Sequence, residues 1–278
     1  MIDYHIHTNH SIDAEGSLDE YLEQALKLSL REICITNHCE LDSLRNDNLI
    51  RIEDKILPIK KENLLFLQNE IIARESYYKD KGLRIKFGIE VGYFEGIGKR
   101  LKEVTDDLKL DYILGAIHCL EHICIDSSKE YERYFTQKGV DELLSNYYNT
   151  LKELVKSHLF DGVAHLDVYK KYGLGFYGET IRKIPKDKVF EIFKLIAENG
   201  IALEINTAGL RRHNEFYPSV DFMKIAKEAG VELVTVGSDC HRADDLGRGI
   251  KEAIEYVKMF GFKYIFGFSG RKPIPYKI

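Results

Sequence analysis

Short apolar segments alternate with amphipathic helical patterns along almost the whole chain, and this alternation restricts the folds that it can adopt. Strands are expected at 2–7, 32–36, 84–90, 112–118, 162–165, 201–206 and 232–238. The sequence Ser17-Leu-Asp-Glu20 is a capping box, which predicts that the first helix begins there. Strands that alternate with helices are expected to be parallel, with the helices covering the sheet. A closed barrel of seven or eight βα units fits this pattern best, and an open doubly wound sheet is the alternative.

The remaining segments complete this pattern or interrupt it. Further helices are expected at 60–81, 99–108, 140–157, 186–199, 220–229 and 243–260. Residues 37–58 show no clear period and are expected to form a loop with at most a short helix, and 119–138 are irregular. A glycine- and tyrosine-rich loop is expected up to Pro185, and an apolar run at 264–268 precedes a tail. Because no linker or repeat divides the chain, we expect residues 1–278 to form a single domain.

The composition excludes several classes of partner. The 278 residues include 40 Lys and Arg against 45 Asp and Glu, a net charge of -5, which provides no electrostatic basis for binding nucleic acid or an anionic membrane. The five cysteines form no C-x-x-C pair, which indicates reduced thiols and a cytoplasmic protein. The sequence shows no signal-peptide pattern and no apolar run long enough to cross a bilayer. It does not predict an oligomeric state.

Histidines and acidic residues stand at the carboxyl ends of the expected strands. These residues, with one asparagine, are His5, His7, His38, Glu90, His118, His165, Asp167, Glu204, Asn206, Asp239 and His241. Side chains alternate along a strand, so His5 and His7 are expected on one face. In a parallel barrel all of these strand ends meet at one mouth, where such folds carry their chemistry. Six of the ten histidines fall at these positions, so a common site is the best interpretation.

Imidazoles and carboxylates without a thiolate pattern suit zinc, iron or manganese, and they fit magnesium or calcium poorly. The set is too large for one ion, which takes about four to six ligands, so we expect two or three ions close together. Glu90 is central in the set and is a candidate bridge between two of them. Cys240 lies between two candidate ligands, but its side chain is expected to point away into the core.

Seven ordered motifs resemble those of the PHP (polymerase and histidinol phosphatase) superfamily. They are His5-Ile-His7, Asp13, Thr36-Asn-His38, Gly88-Ile-Glu90, Ala116-Ile-His118, Ala164-His165-Leu-Asp167 and Ser238-Asp239-Cys-His241. The resemblance extends from the first residues to Gly249. It implies a distorted (β/α)7 barrel of the TIM-like kind, with a trinuclear metal centre at the carboxyl ends of the strands.

The resemblance also implies a ligand set for each ion. The ligands would be His5, His7, Glu90 and Asp239 for the first ion; Glu90, His118 and His165 for the second; Asp13, His38 and His241 for the third. Many members of the superfamily have histidine where this chain has Asp13. A carboxylate can still bind a metal, although the identity and affinity of the third ion become less defined.

Two further stretches resemble histidinol-phosphate phosphatases within the superfamily. They are His165-Leu-Asp-Val-Tyr-Lys-Lys-Tyr-Gly173 and Glu204-Ile-Asn-Thr-Ala-Gly-Leu-Arg211. This resemblance implies hydrolysis of L-histidinol phosphate to L-histidinol and phosphate in histidine biosynthesis.

Candidate roles follow for the residues around such a reaction. Glu90, Asp239 and His241 are the candidate catalytic residues, the last two as proton donors to the leaving alkoxide. Arg211 and Arg212 are candidates for a bidentate contact with phosphate. The candidates for reading the amino or imidazole end of the substrate are Glu204 and His213.

Three other functions compete with this interpretation. A related phosphoesterase could act on another small phosphomonoester, a nucleotide or a DNA 3′ end, although the acidic balance speaks against an exonuclease. Metal-dependent amidohydrolases also begin with H-x-H, but they usually need a bridging lysine or carboxylate late in the barrel. A non-catalytic metal-binding protein would be expected to have lost some of the ligand motifs.

Overall fold

Seven parallel strands form the centre of the structure, a computed structural model that describes residues 1–278. The strands are β1 (Ile2–Asp3), β2 (Glu32–Ile35), β3 (Arg84–Gly92), β4 (Tyr112–Ala116), β5 (Gly162–Val163), β6 (Ala202–Asn206) and β7 (Val234–Gly237). Each strand pairs with the next one along the chain, as expected for successive βα units.

Backbone hydrogen bonds join the first strand segment to the last and close the sheet into a barrel. The amide of Tyr4 donates to the carbonyl of Val236 at 2.9 Å, and the amide of Asp239 donates to the carbonyl of His5 at 2.8 Å. A parallel bridge between Ile6 and Cys240 continues this contact beyond the strand ends. The barrel is distorted because β1 and β5 contribute only two residues each to the ladder. The predicted distorted (β/α)7 barrel is therefore confirmed, and the open sheet is excluded.

Ten helices follow or cover the strands. They are α1 (Leu18–Lys27), α2 (Lys61–Asp80), α3 (Gly98–Thr105), α4 (Tyr131–Phe135), α5 (Val140–Lys156), α6 (Lys170–Tyr177), α7 (Lys186–Glu198), α8 (Ala208–His213), α9 (Val220–Glu228) and α10 (Ile250–Met259). The capping box predicted for α1 is present, since Ser17 and Glu20 each bond to the other's backbone amide. None of the ten combines the length and the apolar character that crossing a lipid bilayer requires.

Five segments, including the C-terminal hairpin described below, differ from the sequence-based expectation. Residues 37–58 contain a hairpin of Leu49–Ile52 and Lys55–Pro58 instead of a short helix. Residues 119–138 hold the hairpin Cys119–Leu120/Ile123–Cys124 and then α4. The expected helix at 243–260 is divided into a 3-10 turn and α10.

The fourth difference is α6, which occupies part of the expected glycine-rich loop. Each glycine in a helix interior costs about 1 kcal/mol relative to alanine, so the sequence argues against this helix. Tertiary packing overrides that preference at Gly173, where a Cβ would lie 2.9 Å from Cγ1 of Ile181. The glycine allows α6 to approach the 3-10 helix Gly178–Arg182 that follows it.

A C-terminal hairpin covers the amino end of the barrel. Its strands, Tyr264–Ser269 and Lys272–Lys277, pair in antiparallel fashion where the sequence suggested an apolar run and a tail. Phe268 stacks on Tyr112 with ring centroids 4.5 Å apart, and its amide donates to the Tyr4 hydroxyl at 2.7 Å. With this end covered, the carboxyl end of the barrel is the end left for a site.

Candidate metal centre

The side chains predicted as metal ligands converge at the carboxyl end of the barrel. His5 and His7 lie on one face after β1, as their spacing predicts, with ring centroids 4.9 Å apart. His38 reaches the same place because residues 37–39 pair with the backbone around Glu90 in β3. His118, His165, Asp239 and His241 follow β4, β5 and β7.

Two of these residues adopt left-handed backbone conformations that are unusual without glycine. The φ angle is 51° at Asp239 and 21° at His165. Such conformations cost about 1–3 kcal/mol each and persist where the surrounding structure imposes them. Here the amide of Asp239 is fixed by the carbonyl of His5, which aims the carboxylate into the barrel mouth.

Glu90 is the centre of the cluster. Its Oε1 lies 2.9 Å from Nε2 of His165, 3.2 Å from Nε2 of His118 and 3.3 Å from Nε2 of His5. Its Oε2 lies 2.8 Å from Nδ1 of His38 and 3.5 Å from Nε2 of His7. One buried carboxylate therefore faces two groups of imidazoles, one through each oxygen.

Asp239 and Asp13 place further carboxylates around the same histidines. Oδ1 of Asp239 lies 3.5 Å from Nε2 of His7 and 3.7 Å from Nε2 of His5. At the rim, Oδ2 of Asp13 lies 3.6 Å from Nε2 of His38 and 3.4 Å from Nε2 of His241. The structure thus brings all nine predicted ligands into one cluster, with Asp13 its most exposed member, at 61% of the side chain.

Several polar atoms in the cluster are buried and face one another without the geometry of a hydrogen bond. They are Nε2 of His5, Nε2 of His7, Nδ1 of His38 and Oε2 of Glu90. An unpaired buried polar atom costs about 1–3 kcal/mol, so four at one point require compensation. Five overlapping groups of three side chains each offer ligand atoms that lie within 4.8 Å of one another inside the group. This donor set fits divalent cations that accept imidazole and carboxylate. Cys240 is fully buried beside the cluster, as expected for a core residue.

The electrostatics of the cluster also favour bound cations. Burial opposes ionisation of Glu90, yet the neighbouring His5, His118 and His38 hold its pKa well below its usual range. Burial likewise disfavours the charged form of His38, but the carboxylates of Asp13 and Glu90 raise its pKa to about 10. The carboxylates therefore attract positive charge strongly, and divalent ions can supply it in place of protons.

Glu204 fixes the orientation of two of the histidines. One oxygen lies 2.6 Å from Nδ1 of His5, and the other accepts hydrogen bonds from the amide of His165 at 2.7 Å and from Nδ2 of Asn206 at 3.1 Å. With Nδ1 bonded to Glu204, His5 directs Nε2 toward Glu90 and Asp239. Because both oxygens of Glu204 are engaged, we assign it a positioning role in place of the substrate contact expected from sequence.

Glu40 has the corresponding role for His118, and the sequence analysis missed it. Its Oε1 lies 2.7 Å from Nδ1 of His118, while Nε2 of the same ring faces Glu90. A Cβ at Gly92 would clash with this carboxylate, so the glycine provides its space. The available signal was the His38-Cys-Glu40 spacing, which repeats the spacing of His5 and His7.

The basic residues after β6 have different environments. Nη2 of Arg211 donates to the carbonyls of Ser238 and Asp239 at 2.9 and 3.0 Å, so this guanidinium holds the turn that carries Asp239. Arg212 is exposed and lies over the ring of Tyr172, 5.9 Å from its centroid. Nε2 of His213 lies 3.1 Å from a backbone carbonyl on α6 and is engaged there. Of these three expected substrate contacts, Arg212 keeps its charged group exposed, and Nη1 of Arg211 is buried without a hydrogen-bond partner.

Asp167 follows His165 but lies in a separate buried ion pair. Its Oδ2 accepts a hydrogen bond from Nζ of Lys170 at 2.7 Å, and the amide of Ser219 donates to the same oxygen at 3.3 Å. The carboxylate therefore joins α6 to the start of α9 and is not grouped with the metal-binding atoms.

Known proteins resemble this chain in sequence and in structure. The family model described as PHP domain matches residues 3–208. A protein of Thermotoga maritima named "Probable histidinol-phosphatase" is 28% identical over 278 residues, with 100% of each chain covered. A protein of Lactococcus lactis named "Histidinol-phosphatase" is 26% identical, covering 98% of this chain and 95% of that one. The crystal structure of histidinol phosphate phosphatase from Lactococcus lactis, in complex with zinc, L-histidinol and phosphate, is similar with a TM-score of 0.78 and 24% identity, and 98% of each chain is covered.

Proposed function

The chain belongs to the PHP family, and on this premise we propose that it is a metal-dependent phosphomonoesterase that hydrolyses L-histidinol phosphate. The products are L-histidinol and phosphate, in histidine biosynthesis, and residues 1–278 act as one catalytic domain. The observation that carries the proposal is the position of Glu90, whose two oxygens face two groups of buried imidazoles. Relatives named histidinol-phosphatase match nearly the full length of this chain, which supports a shared substrate.

We propose that the cluster holds three divalent ions, which are zinc, iron or manganese. His5, His7, Glu90 and Asp239 would hold the first, with Glu90 shared with His118 and His165 for the second. Asp13, His38 and His241 would hold the third. When bound, such cations neutralise charge on phosphoryl oxygens and lower the pKa of water toward about 7. The atoms that face one another without hydrogen bonds support this assignment.

The chain's own residues then orient the reacting groups and transfer protons. Glu204 and Glu40 fix the imidazoles of His5 and His118, so that the ligand atoms are held before the substrate arrives. Burial opposes ionisation of Asp239, but His5, His7 and His241 hold its pKa well below its usual range, so of the two expected proton donors to the departing alkoxide His241 is the candidate that remains. The side chains of Asp239 and His241 are 17% and 31% exposed, so both are open to the mouth where the substrate enters.

Steady-state kinetics with defined metals test the proposal. We expect kcat/KM for L-histidinol phosphate to exceed the values for AMP and for a 3′-phosphorylated oligonucleotide by about 100-fold, because a polar site rejects substrates that leave its groups unpaired. Comparable or higher activity on AMP would instead support another phosphoesterase function.

Two variants separate this activity from that of a contaminating phosphatase. Glu90→Gln removes the shared charge and should abolish turnover of every ester together with metal binding. Glu75→Gln changes an exposed glutamate on α2, far from the barrel mouth, and should behave as wild type. Equal activity of all three proteins would show that the cluster is not the active site.

A further inference from the structure

We propose that Asp126 determines specificity by accepting the protonated amine of an amino-alcohol phosphate. The proposal rests on the proposed function in one respect, namely that the phosphate is bound at the metal centre. It goes beyond that function by assigning the group that distinguishes amine-bearing esters from other phosphomonoesters. Glu204 and His213 were the candidates for this role from sequence, and the structure engages both of them elsewhere.

Asp126 lies beside the metal centre, in the segment that follows β4. The hairpin Cys119–Cys124 comes directly after the ligand His118, and Asp126 follows Ile125, whose amide donates to the carbonyl of His118 at 2.8 Å. Its side chain is 16% exposed, so it is largely enclosed yet reachable. Burial raises the pKa of Asp126, but the charge on Lys171 and the hydrogen bond from the Cys124 thiol hold it below its usual value. The carboxylate is therefore ionised and close to the second group of ligands.

The hydrogen-bonding capacity of Asp126 is mostly unused. Its Oδ1 accepts one bond, from the Cys124 thiol at 2.9 Å, and a thiol is a weak donor. Its Oδ2 lies 3.6 Å from Nζ of Lys171, too far for a direct hydrogen bond. A carboxylate has about four acceptor sites, and an ammonium group brings three donors. An amine at this position would satisfy acceptors that the protein leaves open.

Lys171 lies beside Asp126, so one site can bind both the ammonium group and the phosphate of a zwitterionic substrate. Burial disfavours its charge, but Asp126 and Asp239 raise the pKa of Lys171, so it is protonated at neutral pH. Nζ of Lys171 lies 3.6 Å from Oδ2 of Asp126, and the positive charge of Arg212 on α8 opposes the charge on Lys171. An amino-alcohol phosphate carries both charges in one molecule. Its ammonium can replace Lys171 at Asp126, while Lys171 turns toward the phosphate.

Matched substrate pairs test the proposal directly. The first pair is L-histidinol phosphate and 3-(imidazol-4-yl)propyl phosphate, which differ only by the amino group. The second pair is O-phosphoethanolamine and ethyl phosphate, which also differ only by the amino group. For each pair the measured quantity is the ratio of kcat/KM with the amine to kcat/KM without it. In the wild type we expect this ratio to be about 10 to 100, the contribution of a charge-assisted hydrogen bond.

The variants locate the source of that ratio. Asp126→Asn keeps the shape and the acceptor for Cys124 but removes the charge, so the ratio should fall to about 1–3. Asp80→Asn, an exposed change at the end of α2, should keep the wild-type ratio. Lys171→Met should lower kcat/KM for both members of a pair and leave the ratio in place. A ratio near 1 in the wild type, or one unchanged in Asp126→Asn, would overturn the proposal.

The outcomes distinguish this proposal from the proposed function. Hydrolysis of phosphoethanolamine but not of L-histidinol phosphate would overturn the assigned substrate while keeping the amine site. If no ester is hydrolysed, the proposed function fails. Calorimetric titration with L-histidinol then tests whether Asp126 binds the amine. Binding that is weakened about 10-fold or more in Asp126→Asn supports it, and equal binding by both proteins contradicts it. Thermal unfolding shows whether the variant keeps the native fold.

Discussion

Glu204→Gln tests whether this buried glutamate acts through the metal ligands or through the substrate. In the wild type one oxygen lies 2.6 Å from Nδ1 of His5, and the other accepts from the amide of His165 at 2.7 Å. An amide has only one acceptor oxygen, so its NH2 group must face one of these two donors. The substitution therefore removes a charge-assisted hydrogen bond and leaves one buried donor unsatisfied.

The magnitude follows from these contacts. A hydrogen bond to a charged group contributes about 1.5–3 kcal/mol, which is about a 10- to 150-fold change in an equilibrium constant. Loss of groups that orient metal ligands typically weakens metal binding by about 10- to 100-fold. We therefore expect the zinc dissociation constant of Glu204→Gln to rise about 10- to 100-fold. KM measured at saturating zinc should change little, because the side chain does not touch the substrate.

Zinc titration against a chromophoric chelator, together with steady-state kinetics at several zinc concentrations, measures both quantities. Glu75→Gln is the matched control, since it makes the same chemical change on the exposed surface of α2. Zinc affinity within about twofold of wild type, combined with a raised KM for L-histidinol phosphate, would refute the positioning role. That result would restore the substrate contact expected from the sequence.

Three further predictions concern neighbouring contacts. Glu40→Gln should weaken zinc binding about 10-fold in the same titration, because it loses the charged partner of His118; unchanged affinity would exclude this role. Gly237→Ala should lower the free energy of unfolding by about 1–3 kcal/mol and also weaken metal binding, because the added methyl group clashes with His5 and Glu204. Equilibrium denaturation at fixed zinc measures the change in the free energy of unfolding. A denaturation profile equal to that of the wild type would contradict the packing. The pKa of Glu130 is lowered, first by its hydrogen bond to Arg45, so this pair stabilises the protein above about pH 4.3 and loses its effect as the pH falls through the folded-state pKa. Arg45→Met should therefore lower the melting temperature at pH 7, with the difference from wild type shrinking below pH 4; a constant difference would show that the charge is not involved.

Local patterns allowed much of the barrel and its mouth to be predicted from the sequence. His5 and His7 are two residues apart at the end of a strand, and strand geometry alone puts them on one face. The capping box at Ser17 likewise depends only on residues within one turn. Parallel strand ends then meet by topology, which is why candidate ligands far apart in sequence could be grouped into one site.

Contacts between distant residues could not be predicted in the same way. Glu204 was expected near the substrate, but its role depends on His5, which lies 199 positions away. Helix α6 forms against its own glycine content because Gly173 packs closely on Ile181. The C-terminal hairpin depends on Phe268 reaching Tyr4 and Tyr112 at the far end of the barrel. In each case the decisive partner has no signature in the local sequence.

Anomalous X-ray scattering at the zinc edge, measured on crystals of the zinc-loaded protein, tests most directly whether these side chains form a metal centre. The structure predicts peaks in the barrel mouth, about 2.0–2.2 Å from Nε2 of His5 and His7 and from the carboxylate oxygens of Glu90. The peaks beside Glu90 should be lost in Glu90→Gln. Absence of peaks at saturating zinc, or peaks only at surface histidines such as His158, would contradict the account.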